Sequence, residues 1–377
     1  MKEREAFLCR LAEIVNIDSC SHDPAGITAV ADVIAGWFTD LGWQVQRHDL
    51  GPETGPLLQI TNKGTERYDA VLLGHMDTVF PGGTVAERPF RVEGNVAYGP
   101  GVMDMKGGLV AMYFIARALS KDPEHSPAVC MLFNPDEEIG SPYSQKKMIG
   151  IVERSPRLYV MEGGEGADAL HCYASNGVTA FTAVFRGQSA HAGNILERPG
   201  ASAILEAARW TETIHSWVDR ERKVTANVGV IRGGVAANVV PDYARLRGEF
   251  RMAAAEDHRR MLEQLREMAA HPMTPGVTVE LERIGGRPPL VASEGTMAEI
   301  ERIRGIAAGL GQEFNVHTTC GVSDANTICA ALPHLICLDD IGPAGDCAHS
   351  PQEYLLLDTC LPNVELFTRL LLDLKRE

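Results

Sequence analysis

Apolar strands alternating with helices run along most of the chain, and this alternation restricts the fold more than any other feature. Runs such as VLLG (71–74) and AVCMLFN (128–134) are typical of strands buried on both faces of a sheet. Residues 1 to about 172 predict helices at 3–17, 27–41 and 106–119, and strands at 43–49, 57–61, 70–74, 128–134 and 157–162. After residue 287 the alternation resumes with a helix near 295–310, strands near 313–318 and 334–339, and a C-terminal helix. The predicted class is α/β, a mixed sheet between layers of helices.

The segment between these two parts has a different order. It predicts four strands, in GVTAFTAVFRG, TANVGVIRGG, ARLRGEFRMA and VTVELERIGG, and two helices near 199–217 and 256–270. The order β-α-β-β-α-β is typical of a ferredoxin-like α+β domain with both helices on one face of an antiparallel sheet. We therefore predict a discontinuous domain of residues 1–175 and 288–377, interrupted by an inserted domain of residues 176–287.

Composition argues against several partners and locations. The net charge is −15, whereas nucleic acids and anionic membrane surfaces require basic patches. The nine cysteines are scattered and form no C-x-x-C pair, which indicates reduced thiols in a cytoplasmic protein. The amphipathic N-terminus does not resemble a signal peptide. The longest apolar run, GLVAMYFIARAL, contains Arg117 and is too short to span a bilayer.

The strand at 70–74 leads directly into His75 and Asp77. Residues i and i+2 of a strand point to the same side, so these two side chains share a face. A metal-bound imidazole usually donates its other N–H to a carboxylate. A His-x-Asp pair at a strand end can supply both groups, although alone it also fits an ordinary polar strand end.

Further acidic and imidazole side chains occupy similar positions at strand ends and adjoining loops: Asp104, Asp136, Glu137, Glu138, Glu162 and His349. Simpler explanations exist for each, since Asp104 also fits a helix N-cap and residues 136–138 also fit a solvated acidic turn. Open α/β sheets, however, gather residues at the carboxyl ends of their strands, where ligands bind. We therefore expect these side chains to converge.

Such a convergence predicts two metal ions. Imidazole and carboxylate ligands suit zinc. The set of His75, Asp104, Glu138 or Glu137, Glu162 and His349 is too large for one tetrahedral catalytic zinc with an open position. It fits two ions that share a bridging carboxylate and a water. Two Zn²⁺ are expected, with Co²⁺ or Mn²⁺ as substitutes, and Cys347 is not needed as a ligand because the set is complete without it.

The motifs in this order resemble a known family. They are GHMDTV, GVMDMKGG, DEEIGS, MEGG, SAHAG, GGVAANVVPD and AHSP, and they cover nearly the whole chain. Together they resemble the co-catalytic zinc metallopeptidase and deacylase family of glutamate carboxypeptidase (carboxypeptidase G), acetylornithine deacetylase, succinyl-diaminopimelate desuccinylase and aminoacylase. The segments GQSAHAGN and GGRPPL are most similar to the glutamate carboxypeptidase branch.

The resemblance implies roles for individual residues. Asp104 would bridge the two metals, and the full set of ligands would be His75, Asp104, Glu138, Glu162 and His349. Glu137 would be the general base, and Asp77 would orient His75. The family often has a cis peptide after its bridging aspartate, so the Asp104–Met105 bond is expected to be cis.

The resemblance also implies substrate contacts from the inserted domain, which would act as a lid and as the interface of a homodimer. His191 would reach the active site of a neighbouring subunit and stabilise the oxyanion. Asn238 would help to bind the substrate, and Arg251 and Arg287 would hold its carboxylate, since guanidinium binds carboxylate in a fork.

These features predict a metallohydrolase that cleaves an amide bond. The expected product is a C-terminal amino acid released from a peptidyl or N-acyl substrate, by a water activated between two metals with Glu137 as general base. The alternatives are a dipeptidase or aminopeptidase of the same fold, and a regulatory protein that binds metal without catalysis.

Near the C-terminus, SPQEY (350–354) matches a capping box, but Pro362 cannot lie in mid-helix. We therefore predict a single turn there and a final helix from about Asp358, with Pro362 in its first turn.

Overall fold

The structure, a computed structural model, describes residues 2–166 and 168–374. The outer limits of the predicted discontinuous domain, residues 1 and 377, lie outside the described residues. The chain forms two compact units. The main unit comprises Met1–Ala174, Ala292–Thr319 and Ser323–Glu377, and the inserted unit comprises Ser175–Val291 and Cys320–Val322. Within the described residues, no helix is both long enough and apolar enough to cross a bilayer.

The helices are α1 Lys2–Val15, α2 Pro24–Asp40, α3 Thr84–Glu87, α4 Gly107–Leu119, α5 Gln145–Val152, α6 Ala203–His215, α7 Ala255–Ala270, α8 Glu294–Gly309, α9 Asp324–Ala331 and α10 Leu357–Asp373.

The strands are β1 Gln44–His48, β2 Leu57–Thr61, β3 Ala70–His75, β4 Arg91–Glu93, β5 Val96–Tyr98, β6 Val129–Asn134, β7 Arg157–Val160, β8 Gly163–Glu165, β9 His171–Ser175, β10 Gly177–Arg186, β11 Ala190–His191, β12 Thr225–Gly233, β13 Val239–Val240, β14 Tyr243–Met252, β15 Thr278–Arg287, β16 Val316–Thr319, β17 Ile336–Leu338, β18 Gly342–Asp346 and β19 Tyr354–Leu356.

The main unit is built on a six-stranded mixed sheet in the order β1-β2-β6-β3-β7-β17. Strand β3 is parallel to both of its neighbours, β6 and β7, while β2 is antiparallel to β6. Every residue of β2, β3 and β6 is buried, as expected for central strands covered on both faces. The predicted α/β class with a mixed sheet is therefore confirmed.

A second sheet of the main unit has the order β4-β5-β19-β18-β8. Strand β19 pairs with β5, with Tyr354 opposite Tyr98, and β18 pairs with both β19 and β8. The sequence did not predict β18 and β19, nor the short helices α5 and α9. These elements have three to eight residues each, too few to show a clear apolar period.

The inserted unit is a four-stranded antiparallel sheet in the order β12-β14-β10-β15, with a core formed against α6 and α7. Trp210 of α6 packs edge-on against Phe185 of β10, and Leu265 of α7 is fully buried. The antiparallel subdomain agrees with the predicted α+β insertion.

The C-terminal prediction needs two corrections. Helix α10 begins at Leu357, one residue before the predicted start, so Pro362 is its sixth residue and lies in the second turn, not the first. Proline has no backbone N–H, so the helix loses one hydrogen bond at this position. Burial of the apolar face of α10 outweighs the free-energy cost of that loss. A turn is present within the predicted segment SPQEY (350–354), but it ends at residue 352 and leads into β19, and Glu353 does not act in a capping box.

Candidate metal centre

Three neighbouring parallel strands of the main unit end at one edge of the sheet. Strand β3 ends in His75, β6 leads into a 3₁₀ turn at Glu137–Ile139, and β7 is followed by Glu162. Because parallel strands run in one direction, their carboxyl ends meet, and the three acidic or imidazole groups meet with them.

Asp104 reaches the same place from a tight turn, Val102–Lys106, between β5 and α4. Gly101 introduces the turn at φ 73°, and a Cβ there would lie 2.6 Å from Thr78 Cγ2, so only glycine fits. The Asp104–Met105 peptide bond is cis, as expected from the family resemblance.

His349 comes from the loop that follows β18. Cys347 and His349 both have φ 61°, a conformation that non-glycine residues rarely adopt. The Ser350 hydroxyl donates to the Cys347 carbonyl at 2.7 Å and closes the turn around His349. The imidazole is about half exposed.

The five predicted ligands form two groups that share Asp104. His75 Nε2 lies 3.0 Å from Asp104 Oδ1 and 3.3 Å from Glu162 Oε1. His349 Nε2 lies 3.0 Å from Asp104 Oδ2 and 3.1 Å from Glu138 Oε2. Each oxygen of Asp104 therefore faces a different histidine, and each histidine faces a second carboxylate.

The crowding of acids perturbs the titration of both histidines. Burial alone would lower the pKa of His75, but Glu162, Asp104 and Asp77 outweigh it and raise this pKa well above its ordinary value. Hydrogen bonds to Asp104 and Glu138 raise the pKa of His349 to about 11. The site therefore attracts positive charge strongly.

The acids themselves respond differently. Burial would raise the pKa of Asp104, but hydrogen bonds from His349 and His75 lower it. Burial raises the pKa of Glu162 to about 7, even though His75 opposes the shift. Burial, with the nearby charge of Asp104, also raises the pKa of Glu138. Asp104 thus holds its negative charge most firmly, as a shared ligand must.

Asp77 organises this centre through both its backbone and its carboxylate. His75 Nδ1 donates to the Asp77 carbonyl at 2.9 Å, and its distance to the carboxylate is longer, 3.4 Å. This hydrogen bond occupies Nδ1, so Nε2 is the atom of His75 that faces Asp104 and Glu162. The Asp77 carboxylate accepts the backbone N–H groups of Glu137 (3.0 Å) and Glu138 (3.1 Å) and the hydroxyl of Ser21 (2.6 Å). It therefore fixes the acidic turn.

The donor set fits divalent metal ions. Imidazole nitrogens and carboxylate oxygens suit zinc and similar ions. One ligand atom from each of His75, Asp104 and Glu138 lies within 4.8 Å of the others. Glu138 Oε1 is buried and has no hydrogen-bond partner among the residues that the structure describes, and such an acceptor is costly unless something binds it.

Four predicted residues lie in the inserted unit. His191 and Asn238 are neighbours there, because β11 pairs with β13 and the Ala192 N–H donates to the Asn238 carbonyl at 2.9 Å. Val178 of β10 pairs with Arg251 of β14 on one side and with Arg287 of β15 on the other. Residues in direct register share a face of the sheet, so both arginines belong to one face. Arg287 is buried, and Arg251 pairs with Glu249 at 3.0 Å.

Two acidic residues near the centre were missed by the sequence analysis. Glu353 accepts backbone N–H groups of the turn that carries Asp104. Asp340 follows β17, the strand beside β7, and its pKa is raised well above the ordinary value by burial and by the charges of Asp339 and Glu162. The sequence signal for Asp340 was an acid two residues after the end of a largely apolar strand, the same position that Glu162 has after β7.

Comparison with known proteins identifies the family. Residues 71–373 match peptidase family M20/M25/M40. The chain belongs to this family. The predicted membership and enzyme class are thereby confirmed: the chain is an M20 peptidase or amidohydrolase, and the family is metal-dependent.

Among M20 relatives, the chain is 27% identical to carboxypeptidase G2 of Pseudomonas sp. (strain RS-16), covering 99% of this chain and 90% of that protein. It is 23% identical to succinyl-diaminopimelate desuccinylase of Delftia acidovorans, covering 97% of each. The crystal structure of a tripeptidase from Staphylococcus aureus superimposes with a TM-score of 0.78, at 20% identity and 99% coverage of both chains. The last likeness shows that the fold is shared.

Proposed function

We propose that this M20 enzyme holds two divalent metal ions, Zn²⁺ by preference, and hydrolyses an amide bond to release a C-terminal amino acid. The observation that carries the proposal is the division of the site into two halves by Asp104, one oxygen toward each histidine. His75 and Glu162 would complete one metal shell, and Glu138 and His349 the other. Metals bound there would polarise the scissile carbonyl and lower the pKa of a water molecule.

Glu137 is the proposed general base. Its backbone is held by Asp77 beside the ligand Glu138, so its carboxylate belongs to the same rigid turn as a metal ligand. The attacking water gives one proton to Glu137 as its oxygen bonds to the carbonyl carbon. Glu137 then returns that proton to the leaving nitrogen as the C–N bond breaks.

The inserted unit supplies the proposed substrate contacts, as a lid and homodimer interface. His191 would donate to the developing oxyanion in the active site of a neighbouring subunit, and Asn238, its neighbour in the fold, would bind substrate. Arg251 and Arg287 share a sheet face, which supports their common role in holding a carboxylate.

The substrate class follows from the same arginines and from the relatives. A free carboxylate next to the scissile bond is what a carboxypeptidase or an N-acyl amino acid deacylase must recognise. Carboxypeptidase G2 carries the first activity in its name, and succinyl-diaminopimelate desuccinylase is named for removing an acyl group. We therefore propose peptidyl and N-acyl amino acids as substrates.

The test combines one substitution with a substrate panel. Glu137→Gln should keep two Zn²⁺ per chain but lose roughly 10²–10⁴-fold in kcat, because proton transfer is lost. The matched control is Glu153→Gln, an exposed glutamate of the same unit, which should be fully active. Turnover retained by Glu137→Gln would reject the assigned base.

The panel pairs each peptide with its N-acetylated form. Cleavage of the blocked forms supports the proposal, since release of a C-terminal amino acid does not need a free amino group. Cleavage of only the free forms would favour a dipeptidase or aminopeptidase. Zinc binding without any turnover would favour a regulatory protein.

A further inference from the structure

Glu353 is buried beside the turn that carries Asp104, and only 1% of its surface is exposed. Its Oε2 accepts the N–H of Gly101 at 2.9 Å, and its Oε1 accepts those of Met103 at 2.8 Å and Asp104 at 3.0 Å. Both carboxylate oxygens are therefore used, and three backbone donors in one four-residue stretch converge on one side chain.

Strand pairing explains how Glu353 arrives there. It directly precedes β19, whose first residue, Tyr354, lies opposite Tyr98 at the end of β5. The Asp104 turn follows β5, so the β5–β19 pair places Glu353 against that turn. Glu353 also lies only four residues after His349. One side chain thus connects the segments that provide two of the proposed ligands.

The three backbone hydrogen bonds offset only part of the cost of burying the Glu353 carboxylate, and burial still raises its pKa to about 7. Lys106, at the end of the same turn, is a buried cation whose Nζ donates to the Ile17 carbonyl at 2.9 Å, and the charge of Glu353 acts on it. The turn between Gly101 and Lys106 is therefore held at one end by an anion and at the other by a cation, both away from solvent. Such an arrangement restricts the backbone of Asp104 to one position.

We propose that Glu353 is a positioning residue of the metal centre, which holds the backbone of Asp104 so that its two oxygens stay directed at two different metal ions. The inference rests on the proposed two-metal function. Glu353 would bind no metal and no substrate itself. Partners of this kind typically contribute 10–100-fold to metal affinity.

The chemistry of the contact makes a conservative substitution informative. Glu353→Gln keeps the size of the side chain, but it replaces one acceptor oxygen with an NH₂ group that points hydrogens at a backbone N–H. At least one of the three donors then loses its partner. Glu353→Asp keeps both acceptors on a chain one methylene shorter, and serves as the second variant if Glu353→Gln does not fold.

The experiment measures Zn²⁺ affinity by competition with a chromophoric chelator, together with Tm of the metal-free protein. Glu353→Gln should bind Zn²⁺ about 10–100-fold more weakly than the wild type, and excess Zn²⁺ should restore most of kcat. Glu353→Asp should show a smaller loss in the same direction.

The matched control is Glu206→Gln in the inserted unit. Glu206 is also a buried carboxylate that accepts two backbone N–H groups, from Met273 and Thr274, so its loss has a similar structural cost. It should lower Tm and leave Zn²⁺ affinity within two-fold.

The outcomes separate the two proposals. Unchanged Zn²⁺ affinity in the Glu353 variants, or an equal loss in Glu206→Gln, would overturn the role of Glu353 alone. A wild-type protein that binds no Zn²⁺ would overturn the two-metal function, and the role of Glu353 with it.

Discussion

Both units bury carboxylates, but they surround them differently. In the inserted unit, Glu206 accepts the N–H groups of Met273, Thr274 and the Trp210 indole, and Asp257 pairs with two arginines. In the main unit, Asp104, Glu138 and Glu162 share two histidines, and Glu138 Oε1 has no hydrogen-bond partner among the described residues.

Carboxylates that stabilise the fold have all their partners in the chain, whereas those of the candidate metal centre lack, within the described part of the chain, partners that a bound ligand would supply. Burial of an acid is costly unless donors or cations compensate it. Donors from the chain compensate Glu206 and Asp257. The acids of the metal centre are compensated only in part, and their charges and hydrogen bonds raise the pKa of His75 and of His349. Substitutions in the two groups should therefore differ in whether turnover or stability falls most.

The largest effect should come from Asp104→Asn. This change weakens the ligand that both halves of the site share, so turnover should fall on the order of 10³-fold or more, beyond the loss typical of outer-shell partners. The Tm of the metal-free protein should fall only modestly, because asparagine keeps the shape of the side chain but loses the charge that His349 and His75 stabilise. Kinetics, metal analysis and calorimetry of the metal-free protein check this. Near-normal turnover would mean that Asp104 is not the shared ligand.

Glu206→Ala should show the reverse. Two backbone N–H groups and one indole N–H would lose their acceptor, and the free energy of unfolding should fall by about 2–4 kcal/mol. The kcat of the folded protein and its metal content should be unchanged. Urea denaturation with parallel kinetics provides the measurement, and a loss of metal without a loss of stability would break the comparison.

The smallest expected effect concerns His171, a buried group of the main unit outside the metal centre. Burial lowers the pKa of His171 to about 4, while its Nδ1 donates to the Asp340 carbonyl at 2.8 Å and its ring stacks on Phe314. The unfolded chain binds this proton near pH 6.5 and the folded chain only near pH 4. Stability from this group is therefore complete above pH 6.5 and is lost as the pH falls toward 4.

His171→Phe should remove that dependence. Between pH 7 and pH 5 the wild type should lose about 2 kcal/mol more unfolding free energy than the variant. Denaturant titrations at the two pH values, on metal-free protein, give the difference. Equal losses would show that His171 titrates normally. The expected result would show that His171, although it lies in the main unit, stabilises the fold through partners from the chain, as Glu206 and Asp257 do in the inserted unit.

The sequence predicted most of the main sheet and the convergence of the five proposed ligand residues. Strands β3, β6 and β7 are mostly apolar, and His75, Glu138 and Glu162 lie at the end of these strands or within four residues after it, so the geometry of parallel strands was sufficient. Glu353 could not be predicted in this way. Its partners lie about 250 residues earlier in the chain, and the local pattern favoured a helix cap.

The role of Asp77 was only half predictable. A carboxylate two residues after a histidine indicates that it orients the imidazole, yet the structure gives that contact mainly to the Asp77 carbonyl. Its side chain holds the backbone of Glu137 and Glu138 instead, a contact across 60 residues that leaves no local pattern.

The attachment of that turn to both oxygens of Asp77 has a consequence for metal exchange. Glu137 and Glu138 are consecutive, and their adjacent N–H groups are anchored to the same carboxylate, so the two side chains cannot move independently at their base. An ion of larger radius that displaces Glu138 would carry Glu137 with it. With Glu137 as the proposed base, ionic size would then affect the distance over which the proton is transferred, and replacing the metal would change the rate of the chemical step as well as the affinity.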